Sequence, residues 1–281
     1  MIWLIFALIS AVCESTKSLL HRKVMITEDP YAYAMFENIF AALIFLIFIS
    51  QFIFPNEIQA WLIVSFASIL WLLISVLSQY SYKYTKVSIQ EPLKQTRLLW
   101  VLLIGIIFLH ELITLNKIIG TLFIFVGLII ISYQKKSNFG SFKDKGVQIT
   151  LIYSFLFALV TIIDKYALNY FNAETYGFLV YLLPGIILLI MNRKSKHEEI
   201  LNLIKKFWLA ILIVAITSFG YYYFKLKALE LADATLVFPI IRGATILTVL
   251  GGIILFNEKE NLFKKLISIF IIFIGIVFLS I

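Results

Sequence analysis

The chain carries little charge for its length. Only 14% of its 281 residues are Asp, Glu, Lys or Arg, whereas about a quarter of a globular chain is charged. It has one cysteine, Cys13, which excludes an internal disulfide and a thiolate metal cluster. Its three histidines, His21, His110 and His197, lie far apart near expected helix ends, so no zinc spacing is present and no metal site is expected. There is no Gly-rich phosphate loop, no nucleophile elbow and no polar insertion long enough to fold alone. These absences argue against a nucleotide-dependent enzyme or a hydrolase. No catalytic residue and no cofactor are expected. The net charge of +8 is spread over short connections, so anionic lipid headgroups are the expected partner rather than nucleic acid.

Apolar sequence fills the space that charge leaves: 62% of the residues are hydrophobic. A soluble chain of this size cannot bury that much, so the expected fold is an all-α polytopic membrane protein. A span needs roughly 20 mostly apolar residues to cross the hydrocarbon. On that ruler ten spans are expected, over residues 2–20, 31–54, 58–82, 87–108, 114–133, 147–168, 174–191, 207–228, 234–256 and 262–281. The first run lacks a basic leader and a small-residue cleavage site, and Glu14 and Lys17 interrupt it. It is read as a retained helix rather than a signal peptide.

The second half repeats the first at an offset of 147 residues. Tyr84 to Pro92 lies without a gap over Leu231 to Pro239, and His110-Glu111 lies over Asn257-Glu258. The chain therefore divides into a five-helix repeat over 1–133, a linker over 134–146 and a second five-helix repeat over 147–281. Five is odd, so the second copy enters the membrane from the opposite side and the repeats are inverted. Loops after odd-numbered spans carry 16 Lys and Arg residues. Loops after even-numbered spans carry three: Lys117, Lys225 and Lys227. That asymmetry places the odd loops in the cytoplasm and both termini outside.

The two copies of the fourth and fifth spans, "SIQEPLKQTRLLWVLLIGIIFLHELITLNKIIGTLFIFVGLIIIS" and "TLVFPIIRGATILTVLGGIILFNEKENLFKKLISIFIIFIGIVFLS", share a pattern. Each has a hydroxyl residue, a Pro four positions on, a long apolar run, a Glu and a Gly-containing last span. The pattern resembles the drug/metabolite transporter superfamily and, within it, the ten-helix EamA-type transporters. Phe157 to Tyr166 also resembles that family's opening helix. The resemblance implies a secondary transporter whose first, third, fourth, sixth, eighth and ninth spans surround the site. Members of the family are usually described with cytoplasmic termini, the reverse of the charge tally here.

Ionisable residues inside spans cost roughly 2.5–3.5 kcal/mol each on insertion scales, so they face a cavity or a partner. Glu14, Lys17, Glu37, Gln90, Gln95, Arg97, Asp164, Lys165, Tyr222 and Arg242 are the candidate site residues for substrate or coupling ion. Arg242 shares a helix face with Thr235 and Pro239. Its planar fork suits a carboxylate or phosphate, and an internal ion pair with Asp164, Glu14 or Glu37 is the alternative. Gln95, its counterpart in the first repeat, lies with Gln90 and Arg97 along a polar wall. Asp164 cannot pair with the adjacent Lys165 and is open to a partner on another helix. Tyr222 belongs either to an interfacial aromatic belt or to a cage for an ammonium. Pro92 and Pro239 are candidate hinges or helix breaks. Glu111 and Glu258 read most simply as caps on the next helix.

The expected function is transport of a small polar metabolite by alternating access, with a zwitterion such as an amino acid suiting the mixed charges. Broad efflux of drugs or metabolites and a scramblase-like lipid handler are the alternatives. Proton coupling through a buried carboxylate would need no cofactor. The expected location is a prokaryotic inner or plasma membrane, as a monomer or homodimer among lipids.

Overall fold

In a computed structural model, the structure describes residues 2–24, 30–84, 93–112, 114–132, 144–191, 197–243, 247 and 262–280. Among these are ten α-helices and no strand. They are α1 (Ile2–Val24), α2 (Pro30–Phe45), α3 (Ile58–Tyr84), α4 (Thr96–Leu109), α5 (Leu115–Ser132), α6 (Lys145–Ala167), α7 (Ala173–Met191), α8 (His197–Leu231), α9 (Ala234–Arg242) and α10 (Leu262–Ser280). Each expected span meets one helix. A 3-10 turn, Leu46–Gln51, ends the second span, with Phe48 off helical angles. α8 begins ten residues before the expected span with the charged run from His197 to Lys206. It kinks at Phe207, where the sequence turns apolar. α9 passes through Pro239 and ends at Arg242, short of the expected limit. Pro92, Gln90 and Glu258 lie outside the described residues.

Five helices are long and apolar enough to cross a membrane, and shorter apolar helices accompany them. The outward faces are apolar. Leu62, Phe66, Ile69 and Leu73 line one face of α3, and Phe263, Phe270 and Phe273 one face of α10, all exposed. A continuous apolar exterior of that kind suits lipid, not water. Several hydroxyl residues inside the helices satisfy themselves locally. Ser15, Ser68, Thr150 and Thr161 each donate to the carbonyl four residues back, which relieves an apolar medium of an unpaired donor.

The helix pairings obey an exchange of the two halves. α1 packs on α8 as α6 packs on α3. α4 packs on α6 as α9 packs on α1, and α2 packs on α8 as α7 packs on α3. α2 with α7, α4 with α9 and α5 with α10 are their own counterparts. The direction of the self-paired helices fixes the axis. Along α5, Gly120 meets Leu279 of α10, and Gly127 meets Ile272 and Ser268 earlier in α10. That pair is antiparallel, as is α2 with α7, where Phe45 meets Gly177 and Ile39 meets Gly185. A two-fold axis that maps antiparallel helices onto each other runs across them, so the repeats are inverted. Close approach of α5 and α10 depends on glycine: a Cβ on Gly275 would stand 2.7 Å from the Gly120 carbonyl oxygen. Gly120 and Gly127 are thus used inside the chain.

Candidate functional site

The middle of the molecule is organised around one phenyl ring, Phe157 of α6. Three cations lie over it: the Arg97 guanidinium of α4 at 4.4 Å from the ring centre, Lys225 of α8 at 5.4 Å and Arg242 of α9 at 6.0 Å. An aromatic face attracts cations and shields them from lipid. Four of the six elements expected to surround the site, α4, α6, α8 and α9, meet here; α1 joins through Glu14 and α3 through Trp71, whose ring lies 5.4 Å from that of Phe157.

Each cation is held differently. Arg242 pairs with Glu14 of α1, one of its three anticipated partners. It also lies 5.4 Å from the Phe238 ring. Arg242 Nε and Glu14 Oε2 have no hydrogen-bond partner. Lys225 pairs at 2.8 Å with Asp164 Oδ2, and both residues are 0% exposed. The other Asp164 oxygen accepts Tyr176 Oη at 2.9 Å, Tyr222 Oη at 3.0 Å and Trp71 Nε1 at 3.4 Å. Asp164 is therefore saturated by donors from α3, α7 and α8. Arg97, 2% exposed, donates from Nη2 to Tyr153 Oη at 2.6 Å and from Nε to the Lys94 carbonyl at 3.0 Å. It meets no carboxylate among the described residues. Gln95 beside it is 1% exposed, and its Oε1 is unpartnered.

Lys17 and Glu37 meet at 2.5 Å, joining α1 to α2, and Ser218 of α8 donates to the same Glu37 oxygen at 2.7 Å. Lys165 is engaged at the end of α8. Its ammonium donates to the carbonyl of Leu229 and, at 3.0 Å, to that of Ala232, where α8 ends. Cations at helix C-termini are favoured by the unpaired carbonyls there.

Lys225 was counted above with the even loops, because it stands near a span end. It lies inside α8 with no exposure, and removing it from the tally sharpens the charge asymmetry. Its place three residues after Tyr222, within the span expected over 207–228, was the available signal. Trp71, Tyr153, Phe157 and Tyr176 carried none, since an isolated aromatic in an apolar run looks like filler.

Glu111 also departs from expectation. Among the described residues it caps no helix of its own repeat. Its carboxylate accepts the Ala234 and Thr235 backbone N–H groups at 2.8 and 3.1 Å, and the Thr235 hydroxyl as well. It thus caps α9 in the other half. Asp233, the residue before α9, pairs instead with Lys117 at 2.5 Å. The packing is tight: a Cβ on Gly105 would stand 3.0 Å from Thr235 Cγ2. At the same end, Ile53 N donates to Thr175 Oγ1 at 2.8 Å and Asn172 Nδ2 to the Gln51 carbonyl at 2.6 Å. Lys227 bridges Glu174 at 2.9 Å and Glu230 at 3.1 Å. The end bearing the even-numbered connections is therefore cross-braced from one half to the other.

A solved crystal structure, described only as that of a protein, is similar over 98% of this chain and 95% of its own. The TM-score is 0.79 and the identity 11%, a likeness that shows the fold alone. Among curated proteins, none matches the sequence. The EamA-like transporter family matches residues 1–133 and again 144–281. Two matched halves, ten helices and one inverted architecture agree: the chain belongs to the EamA-like transporter family and is a multi-pass membrane protein of that transporter class.

Proposed function

We propose that this protein is a secondary active transporter that moves a small polar metabolite by alternating access, with the halves 1–133 and 147–281 rocking about the linker 134–146. The observation that carries the reading is the set of charges around Phe157. A polar cluster at the meeting of inverted repeats, drawn from both halves, is where such transporters hold substrate. Glu14, Gln95, Arg97 and Arg242 would contact substrate. The Lys17–Glu37 and Asp164–Lys225 pairs, with Tyr222, would position the helices around it, and Lys165 would fix the α8–α9 turn. A coupling proton would sit on Glu14, whose second oxygen has no partner. Pro92 and Pro239 would take up bending in the fourth and ninth spans.

The cross-braced end then forms the closed gate of the conformation seen. The charge asymmetry puts that end outside the cell membrane, so the structure corresponds to the state sealed from outside. Opening it requires Glu111 to release α9 and Lys117 to release Asp233. The test is counterflow in proteoliposomes loaded with unlabelled metabolites of several classes. Uptake of label driven by the internal pool of the same compound supports carrier transport. Lipid scrambling without counterflow would replace it with the lipid-handling reading.

A further inference from the structure

We propose that Arg97 is the docking point for the oxyanion group of an organic anion, and that the substrate of this site is anionic rather than zwitterionic or cationic. The inference rests on the transport reading and deepens it. Around Phe157 stand three cations and two carboxylates. Asp164 is matched by Lys225 and Glu14 by Arg242. The third inward carboxylate, Glu37, is matched by Lys17. No carboxylate among them is left to receive a substrate ammonium, whereas one guanidinium is left without an anion.

Arg97 is also more deeply enclosed than Arg242, 2% against 7% exposed. Burying an unpaired cation is costly unless something completes it. Its planar fork still carries N–H groups beyond those given to Tyr153 and the Lys94 carbonyl, and a carboxylate or phosphate fits such a fork bidentately. Other buried polar atoms lack partners as well. Gln95 Oε1, the Ser154 hydroxyl and the Tyr221 hydroxyl are buried without hydrogen-bond partners. Gln95 stands two residues before Arg97, and Ser154 follows Tyr153, the hydrogen-bond partner of Arg97, in α6. Buried polar atoms in folded proteins are normally paired, so the orphaned Gln95 Oε1, two residues before an unmatched guanidinium in the chain, points to a polar ligand. The guanidinium takes the oxyanion, and Gln95 Oε1 accepts from a hydroxyl group on the same molecule.

The experiment measures melting temperature of the purified full chain in detergent with succinate, L-lactate, glycerol 3-phosphate, L-leucine and choline. The expected result is a rise with at least one of the three anions and none with leucine or choline. The succinate and lactate arms against the glycerol phosphate arm tell carboxylate from phosphate. Arg97→Gln should abolish the rise. Arg97→Lys should keep a weaker one, because a point charge replaces the fork. Gln95→Leu, which breaks no side-chain hydrogen bond among the described residues, should weaken anion binding roughly tenfold, and it decides the question if Arg97→Gln does not fold. The inference is overturned if no anion raises the melting temperature, if leucine or choline does so instead, or if the anion effect persists in Arg97→Gln or is unchanged in Gln95→Leu. Counterflow of the same five compounds separates the two readings. Exchange of leucine or choline alone would refute the substrate class and leave transport standing. Anion binding without exchange of any compound would refute transport and leave the site standing.

Discussion

Replacing Lys225 by Met removes the cation from Asp164 and leaves a carboxylate that is 0% exposed. Three neutral donors remain: the Tyr176 and Tyr222 hydroxyls at 2.9 and 3.0 Å and the weaker Trp71 indole at 3.4 Å. Breaking a buried ion pair by removing one partner costs about 3–5 kcal/mol. The two tyrosines still solvate the charge, so the low end, about 3 kcal/mol, is expected by that rule. Asp164→Asn on the same background removes the stranded charge while keeping its shape. The double variant should return to within about 1 kcal/mol of the parent, because neutral replacement of a buried pair is often near neutral. The assay is equilibrium unfolding in detergent micelles for the parent, both single variants and the double variant, read as a double-mutant cycle. A loss within about 0.5 kcal/mol for Lys225→Met, the range of an ordinary surface change, would refute the claim that this pair fastens α6 to α8. So would a double variant whose loss is simply the sum of the two single ones.

Other consequences follow from the same geometry. Glu111→Ala strips the cap from α9 and should cost about 1–2 kcal/mol in thermal unfolding, the usual range for a lost N-cap. Gly275→Val places a side chain against the Gly120 carbonyl and Ile124; overpacking of this kind costs typically 1–3 kcal/mol, and it should lower the melting temperature without altering ligand-induced shifts. In a Cys13→Ser background, Asn56→Cys on the α2–α3 connection should react with an impermeant maleimide added to intact cells. Reaction only after permeabilisation would reverse the orientation drawn from the charge asymmetry.

Much of the architecture was legible because lipid imposes simple rules. Apolar length set the ten helices, and the repeat offset of 147 residues reappears in space as the exchange of α1–α8 with α6–α3 contacts. Ionisable residues in spans were conspicuous for the same reason, so Glu14, Arg97, Asp164 and Arg242 stood out before any fold was known. Their partners did not, because a partner on another helix leaves no mark in local spacing. Asp164 was readable as needing one, but Lys225 was hidden by its nearness to a span end. Glu111 shows the limit most clearly. A Glu ahead of a helix reads as that helix's cap, and only the three-dimensional crossing of the two halves assigns it to α9. Phe157 opens the segment that resembles the family's first helix, but nothing in the sequence marks it as a platform for cations. Its importance comes from the three cations that converge on it from α4, α8 and α9.

The most direct test of alternating access is to lock the cross-braced end. A Cβ at position 105 falls 3.0 Å from Thr235 Cγ2, a separation compatible with a disulfide. Gly105→Cys with Thr235→Cys, in the Cys13→Ser background, would tie α4 to α9 across the halves. Counterflow should proceed in the reduced protein, stop on oxidation and return on reduction. Undiminished counterflow in the fully oxidised protein would contradict the account, because the two halves would then carry substrate without parting at this end.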